Sequence, residues 1–303
     1  MAKLSERLPE NVSGEFYVDR SCIDCDTCRQ IAPGVFGRSA ASEQSFVRRQ
    51  PAPGEDEQRA LMALVACPTA SIGSVSKLDA SRAAGAFPEL IAGEVYYCGF
   101  AAEASFGASS YLVRRPAGNV LVDSPRACRR LVERIEALGG VSVMFLTHRD
   151  DVADHRAFRR RFGCTRVLHR ADVTADTAAV ERQIEGHEPV TLGDDLVAIP
   201  VPGHTRGSMA LLHRDTFLFT GDHLWWSERL GRLHASQSVC WYSWPEQVRA
   251  VRRLLDFRFE WVLPGHGHRF HAASADAMRD ELARLAGEHA AGLQREARAG
   301  RNP

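Results

Sequence analysis

The sequence has no excess of charge of either sign, because 38 lysine and arginine residues balance 38 aspartate and glutamate residues. Proteins that bind nucleic acid or an anionic membrane by general electrostatic attraction carry a basic surplus, so neither partner is expected. No uninterrupted apolar run approaches the roughly 18 residues needed to span a bilayer. The polar start of the chain also has no apolar segment of the signal-peptide type. We therefore expect a cytoplasmic protein.

The composition is typical of a globular chain. Of the 303 residues, 45% are hydrophobic, 25% are charged and only 8% are aromatic. These values exclude a collagen-like, coiled-coil or mostly disordered protein. The length suggests about two domains, each able to bury a core of its own.

Cysteine occurs eight times, but a chain without an export signal is not expected to form four disulfides, because the cytosol keeps thiols reduced. Half of the cysteines form an N-terminal group with ligand-like spacing: Cys22, Cys25, Cys28 and Cys67. The pattern C-x2-C-x2-C with a distant C-P allows three thiolates to hold one face of a cubane cluster and a fourth to complete it. A zinc ribbon, which usually has two separate C-x2-C pairs, and four unrelated cysteines are the alternatives.

One cluster is expected rather than two. A two-cluster ferredoxin would have another cysteine four residues after Cys28, and that position holds Ala32. Residues 14–73 resemble a single-cluster bacterial ferredoxin, most clearly in the runs 32–36 and 66–72. The resemblance implies an α+β, ferredoxin-like N-terminal domain that holds one [4Fe–4S] cluster.

After a stretch rich in Ser, Ala and Gly, short apolar runs bounded by Gly, Pro or Asp predict strands that alternate with helices. This order favours a layered α/β sandwich. The predicted strands lie at 14–19, 95–100, 110–113, 120–122, 141–146, 196–201, 209–212, 217–220 and 261–263, and the predicted helices at 55–66, 126–138, from about 245, and at 272–299. The predicted organisation is a ferredoxin domain at 1–73, a linker at 74–92, a larger domain at 93–272, and a C-terminal helix and tail at 273–303.

Four segments of the larger domain place histidine or aspartate at the end of an apolar strand. Imidazole and carboxylate ligands together suit zinc, iron or manganese. Glycine next to such residues allows the sharp turns that point successive ligands at one spot. The segments are 145–155, 202–207, 219–223 and 263–268.

In this order the four segments resemble the metallo-β-lactamase superfamily, particularly its glyoxalase II-like and flavodiiron-like branches, over about 94–270. The resemblance implies an αββα metallo-β-lactamase sandwich with a dinuclear metal site at one edge of the sheets. Carried over residue by residue, the implied metal ligands are His148, Asp154, His155, His204, Asp222 and His266. Asp222 is the implied bridging carboxylate, and Asp154 and Asp222 are the residues to which we assign catalytic roles.

The first motif departs from the family pattern His-x-His-x-Asp-His. This chain has two extra residues, and Asp150 occupies the second histidine position with Asp151 beside it. We take Asp150 as a further ligand; ligation by Asp151, or by neither, is the alternative. A carboxylate makes the site harder, which shifts its preference from zinc towards iron or manganese.

The two sites together predict the type of reaction. A hydrolytic two-metal site needs no electrons, because it acts by binding an oxygen atom and lowering the pKa of water. An iron–sulfur cluster moves single electrons. We therefore expect an oxidoreductase whose cluster is coupled to a dinuclear centre, with iron preferred and zinc or manganese as alternatives.

The expected partner is a small-molecule substrate, and an electron-donor protein and a second copy of the chain are candidate partners. Two other functions stay open. One is a metal-dependent hydrolase of an ester, thioester or lactone with a structural or sensory cluster. The other is a non-enzymatic electron carrier or scaffold.

Overall fold

The computed structural model describes residues 1–299, which belong to two compact units. The first unit holds Met1–Met144 and Asp150–Thr165, and the second holds Phe145–Arg149 and the chain from Arg166 onwards. Residues 300–303, the end of the predicted C-terminal tail, lie outside the described residues. Within residues 1–299, no helix combines the length and the apolar character that a membrane span requires.

The first unit begins with short elements around the cysteines: β1 (Phe16–Val18), α1 (Thr27–Ile31), β2 (Phe36–Arg38), β3 (Ser45–Val47), α2 (Glu55–Ala66) and β4 (Ile72–Ser74). Strands β1 and β4 pair antiparallel, with Val18 opposite Ile72, so the two ends of the cysteine-bearing segment lie side by side. Helix α2 begins with three acidic residues, which suit the positive end of the helix dipole. It ends at Ala66, directly before Cys67.

The next elements are α3 (Ser81–Gly85), β5 (Glu89–Ala92), β6 (Val95–Tyr97), β7 (Tyr111–Val113), β8 (Val120–Val122), α4 (Arg129–Ala137), β9 (Val143–Phe145) and α5 (His155–Phe162). Strands β5 to β8 pair antiparallel in succession, and every residue of β7 and β8 is buried, as their apolar runs predict. The interval 74–92, predicted as a linker, therefore contains a short helix and a strand of this sheet. The domain boundaries themselves stay a prediction.

The later elements are β10 (Thr165–His169), β11 (Arg182–Ile184), β12 (Val190–Gly193), β13 (Leu196–Pro200), β14 (Met209–His213), β15 (Phe217–Gly221), β16 (Trp225–Ser227), β17 (Arg232–His234), α6 (Trp244–Arg253), β18 (Trp261–Pro264), β19 (Phe270–His271) and α7 (Ala275–Ala299). Six strands of the second unit form one sheet in the order β12-β13-β14-β15-β18-β19. Within it β15 and β18 run parallel, with Gly221 opposite Pro264. The residues that follow these two strands therefore emerge at the same edge of the sheet.

The core of the second unit lies between this sheet and helices α6 and α7. Leu218 and Val262 of the sheet share one buried cluster with Val251 of α6 and with Met278 and Leu282 of α7. Helix α6 starts where its sequence predicts, because the Ser243 side chain accepts a hydrogen bond from the backbone N–H of Glu246 and Pro occupies the first turn. The predicted fold class, an α+β N-terminal segment followed by sheets with helices packed on them, is confirmed.

Leu282 tests the packing of α7, because this side chain is only 1% exposed. Replacing it with alanine removes buried carbon atoms and leaves a cavity, which costs about 2–5 kcal/mol of unfolding free energy. We expect Leu282→Ala to lower the midpoint of urea unfolding, followed by tryptophan fluorescence. The control, Asp280→Ala on the exposed side of the same helix, should change the unfolding free energy by less than about 0.5 kcal/mol. Equal effects of the two substitutions would contradict the placement of α7.

Candidate functional site

The predicted cluster cysteines come together in the first unit. Their side chains line one small cavity together with residues of β1 and β4: Cys22, Cys25, Cys28 and Cys67. Burial, helped by the nearby charges of Cys67 and Cys22, raises the pKa of Cys25 to about 11. Burial also raises the pKa of Cys28. Buried thiols of this kind become thiolates when a bound cation balances their charge, so the cavity fits an iron–sulfur cluster.

Backbone N–H groups already point at two of the cysteine sulfurs. The N–H of Ser45 donates to Cys22 Sγ over 3.4 Å, and the N–H of Ser71 donates to Cys67 Sγ over 3.3 Å. Hydrogen bonds to ligand sulfur stabilise the more negative, reduced form of a cluster and so adjust its reduction potential. The strands around the cysteines therefore supply the surroundings that a redox cluster uses.

The loop between β6 and β7 forms another part of the cluster site. Gly107 has φ +85°, and a Cβ atom added there would lie 2.5 Å from the Cβ of Cys25. The Thr27 hydroxyl also donates to the Gly107 carbonyl over 3.3 Å. A side chain at position 107 would collide with a predicted cluster ligand, so this position requires glycine. The sequence did not indicate this contact, because Gly107 lies far outside the cysteine motif.

The second unit brings together four of the predicted metal ligands: His148, His204, Asp222 and His266. The Nε2 atoms of His148 and His204 each lie 3.7 Å from Asp222 Oδ2. His266 Nδ1 lies 2.9 Å from Asp222 Oδ1. The parallel pairing of β15 with β18 explains how Asp222 and His266 meet, since each follows one of these strands. Three imidazoles and a carboxylate form a donor set that fits zinc, iron or manganese.

Hydrogen bonds on the far side of two imidazoles orient them towards Asp222. His204 Nδ1 lies 2.6 Å from the carbonyl oxygen of Val239. Because a carbonyl only accepts, this nitrogen carries the proton, and Nε2 keeps a lone pair for a metal ion. His148 Nδ1 lies 3.0 Å from the Thr147 hydroxyl, which again leaves Nε2 directed at Asp222.

Asp222 is the electrostatic centre of this group. Burial alone raises its pKa, but the charge and hydrogen bond of His266, together with the charges of His148 and His204, hold the pKa of Asp222 well below its usual range. The carboxylate is therefore ionised at neutral pH. A buried anion surrounded by imidazoles is the arrangement in which a bound cation compensates the loss of water.

The rest of the first metal motif belongs to the first unit, and its part in ligation stays a prediction. Asp151 and His155 are buried, whereas Asp150 is half-buried and Asp154 is exposed. Asp154 Oδ2 accepts a hydrogen bond from the backbone N–H of Ala127 over 2.8 Å. His155 is the first residue of helix α5, so the helix fixes its position.

The segment that ends in Tyr242 contacts the predicted ligand His204, and the sequence analysis did not predict this contact. The backbone N–H groups of Trp241 and Tyr242 both donate to the carbonyl of His204, over 3.0 and 3.1 Å. The Trp241 ring is 63% exposed, and its centroid lies 6.1 Å from that of His204. The only signal in the sequence is the cluster of aromatic residues, which does not by itself indicate a contact with a ligand.

Cys25 and Cys98 provide a test of the cluster site, because the half-buried Cys25 lines the cavity, whereas the buried Cys98 does not. We expect Cys25→Ala to lose the [4Fe–4S] cluster, since the cluster needs four thiolates. The control, Cys98→Ala, should keep the iron content of the parent protein. Iron and sulfide analysis after anaerobic purification, with electron paramagnetic resonance of the reduced protein, measures both variants. A full cluster in Cys25→Ala would refute this ligand assignment.

Asp222→Asn tests the metal centre. The amide has nearly the same shape but no charge, so we expect metal affinity to fall by at least about tenfold. Metal content per chain after dialysis against a chelator measures the loss. Asp195→Asn is the control, because Asp195 lies beside the buried His213 and not beside a predicted ligand. If Asp222→Asn retains as much metal as the control, Asp222 does not bind it.

Comparisons with known proteins include one family match and several similar solved structures. Residues 18–74 match the family described as the 4Fe-4S single cluster domain of ferredoxin I. The comparison with curated proteins found no match. Among solved structures, the chain is similar to ETHE1 from Myxococcus xanthus, with 21% identity, a TM-score of 0.46, and coverage of 63% of this chain and 84% of that one.

Two further solved structures are similar to the chain. A metallo-β-lactamase superfamily protein from Sulfolobus tokodaii has 19% identity and a TM-score of 0.45, with coverage of 64% of this chain and 86% of that one. A metallo-β-lactamase from Pontibacter korlensis has 18% identity and a TM-score of 0.46, with coverage of 64% and 96%. Residues 18–74 are thus similar to single-cluster 4Fe-4S ferredoxins, and 63–64% of the chain is similar in fold to these three solved structures.

Proposed function

We propose that the chain is an oxidoreductase in which a [4Fe–4S] cluster exchanges electrons with a dinuclear, preferably di-iron, centre. The cysteine cavity fits the cluster, and the group around Asp222 fits a metal ion that can change its oxidation state. One observation favours coupling of the two over a purely structural cluster. It is a set of hydrogen bonds, all within the first unit, that joins the cysteine segment to the first metal motif.

Arg126 makes the connection on the cluster side. Its Nη2 atom donates to the carbonyl of Val65 over 3.0 Å, two residues before Cys67. Its backbone N–H donates to the carbonyl of Phe100 over 2.8 Å, and its guanidinium carbon lies 6.0 Å from the centre of the Phe100 ring. The next residue after Phe100, Ala101, donates to the carbonyl of Ala66 over 3.0 Å. The end of helix α2 and the cluster ligand that follows it are thus held from this side.

Residues 124–127, which include Arg126, also form hydrogen bonds with the first metal motif. The backbone N–H of Ala127 donates to Asp154 Oδ2 over 2.8 Å, and the N–H of Ser124 donates to the carbonyl of Asp151 over 3.1 Å. A few residues and two hydrogen bonds therefore lead from Cys67 to the predicted ligand Asp154. This connection gives a short route between the two predicted sites, as the proposed coupling requires.

The residues of the chain have distinct tasks in this function. When bound, the cluster supplies single electrons and the metal ions supply a centre where a small molecule is bound and reduced or oxidised. Asp222 supplies negative charge that balances the metal ions. His204 Nδ1 keeps its proton and donates it in a hydrogen bond to the Val239 carbonyl. Dioxygen, nitric oxide, a peroxide, or an organic molecule oxidised by activated oxygen is the proposed substrate. An electron-donor protein is the proposed external partner.

Arg126→Ala tests the coupling, because it removes the bond to Val65 and leaves the backbone hydrogen bonds of residues 126 and 127 in place. We expect electron transfer from the reduced cluster to the iron centre to slow by about tenfold, the size of effect typical when a supporting contact is lost. Anaerobic reduction followed by freeze-quench electron paramagnetic resonance measures the decay of the reduced-cluster signal. Arg130→Ala is the matched control, because Arg130 is exposed and donates to Ser81 instead.

Two results would contradict the proposal. The first is a protein that binds two zinc ions per chain under anaerobic purification and shows no response of the metal site to cluster reduction. The second is full turnover of an ester, thioester or lactone by zinc-loaded protein whose cluster cysteines have been replaced. The second result would instead establish the hydrolase.

A further inference from the structure

Asp172 is a buried carboxylate that neither motif includes. It ends a short helical turn after β10, and it is 1% exposed. Its Oδ2 atom accepts hydrogen bonds from the backbone N–H of Arg149 over 3.1 Å and from the Thr205 hydroxyl over 2.5 Å. Its Oδ1 atom accepts from the backbone N–H of Gly207 over 2.7 Å. Three donors therefore converge on one carboxylate.

The donors belong to the two turns that carry the first two histidines of the metal centre. Arg149 directly follows His148, and Thr205 directly follows His204. The two turns also meet in a backbone hydrogen bond of 2.8 Å from Met209 to Thr147. The rings of His148 and His204 lie edge to face, with centroids 4.8 Å apart. The carboxylate thus contacts both turns within one residue of each ligand.

The fit around Asp172 leaves little freedom. A Cβ atom at Gly207 would lie 2.7 Å from Asp172 Cγ, so the close approach of the turn requires glycine. Ser208 also holds Thr205 in place. Its Oγ atom lies 2.8 Å from the Thr205 hydroxyl oxygen and accepts a hydrogen bond from the Thr205 backbone N–H over 3.0 Å. Thr205, Gly207 and Ser208 therefore all contribute to holding the Asp172 carboxylate in place.

A buried carboxylate is costly when its partners are neutral, because such donors replace only part of the hydration that the charge loses. The donors of Asp172 are two backbone N–H groups and a hydroxyl, none of them charged. The Asp172 carboxylate fixes the distance between the turn after His148 and the turn after His204, because one planar group accepts hydrogen bonds from both. Asp172 also lies behind the predicted ligands His148 and His204, and outer groups that orient metal ligands by hydrogen bonding raise metal affinity.

We propose that Asp172 is a positioning residue that sets the spacing of His148 and His204 and thereby the affinity and geometry of the metal site. The inference rests on the proposed function only in that this site binds metal. It holds equally for redox and for hydrolytic chemistry. Asp172 contacts neither the metal ions nor a substrate, and it acts through the backbone and hydroxyl of the ligand turns.

The test uses the full chain with its cluster loaded and cobalt(II) as the probe of the metal site. We expect Asp172→Ala to lower cobalt affinity, measured by competition with a chelator, by about 10–100-fold. The visible absorption bands of cobalt should shift as well, because they report ligand geometry. The iron content of the cluster should stay unchanged. Unchanged cobalt affinity and spectrum in a folded Asp172→Ala protein would overturn the inference.

A matched pair at Thr205 keeps the test decisive if Asp172→Ala fails to fold. Thr205→Val has almost the same volume but no hydroxyl, so it loses the bond to Asp172, whereas Thr205→Ser keeps the hydroxyl. We expect Thr205→Val to bind cobalt more weakly and to shift its absorption spectrum. Thr205→Ser should keep the cobalt affinity and spectrum of the parent protein. Identical cobalt binding by the two variants would overturn the proposed role.

The outcomes for Asp172 and for the redox function are separable. Weaker cobalt binding in the variants, together with an iron-loaded parent that shows no electron transfer from its cluster, would keep the role of Asp172 and refute the oxidoreductase. A parent protein that binds no cobalt would overturn both.

Discussion

The proposed metal centre depends on the carboxylate of Asp222, whose side chain is 13% exposed. Burial works against its charge, and the imidazole of His266, with those of His148 and His204, outweighs that effect. The sheet produces the arrangement, because β15 and β18 run parallel and Gly221 lies opposite Pro264. A different register would separate Asp222 from His266, and the carboxylate would then lose the imidazole that contributes most to stabilising its charge.

The cluster site follows the same physical rule with sulfur in place of oxygen. Burial raises the pKa of the Cys25 and Cys28 thiols, so their thiolate forms are unfavourable until a cation binds. We therefore expect cluster binding to stabilise the folded state of the first unit, as in metal-dependent domains generally. Each unit also places glycine where backbone must approach closely: Gly107 against Cys25, and Gly207 against Asp172.

The sequence predicted best those features that depend on local patterns. Helix 55–66 and strand 120–122 agree with the observed bounds, because apolar periodicity and flanking turn residues determine both. Helix α5 and the hairpin β16–β17 were missed, since the first overlaps a metal motif and the second is an aromatic-rich run without alternation. His148, His204, Asp222 and His266 were predicted as ligands because each follows an apolar strand, and the second unit brings these four side chains together.

The supporting residues could not be found in this way, and the reason is physical. Asp172 lies in a polar turn that belongs to no motif. Its proposed positioning role depends on hydrogen-bond donors at positions 149, 205 and 207, which come near it only in the folded chain. Arg126 is similar, because its partners Val65 and Phe100 are distant in sequence. Metal-binding side chains are constrained by their own chemistry, whereas the groups that orient them need only supply a donor or acceptor at the right point. Many residue types can meet that need, so a sequence motif can predict the ligands, whereas only the fold shows which groups lie behind them.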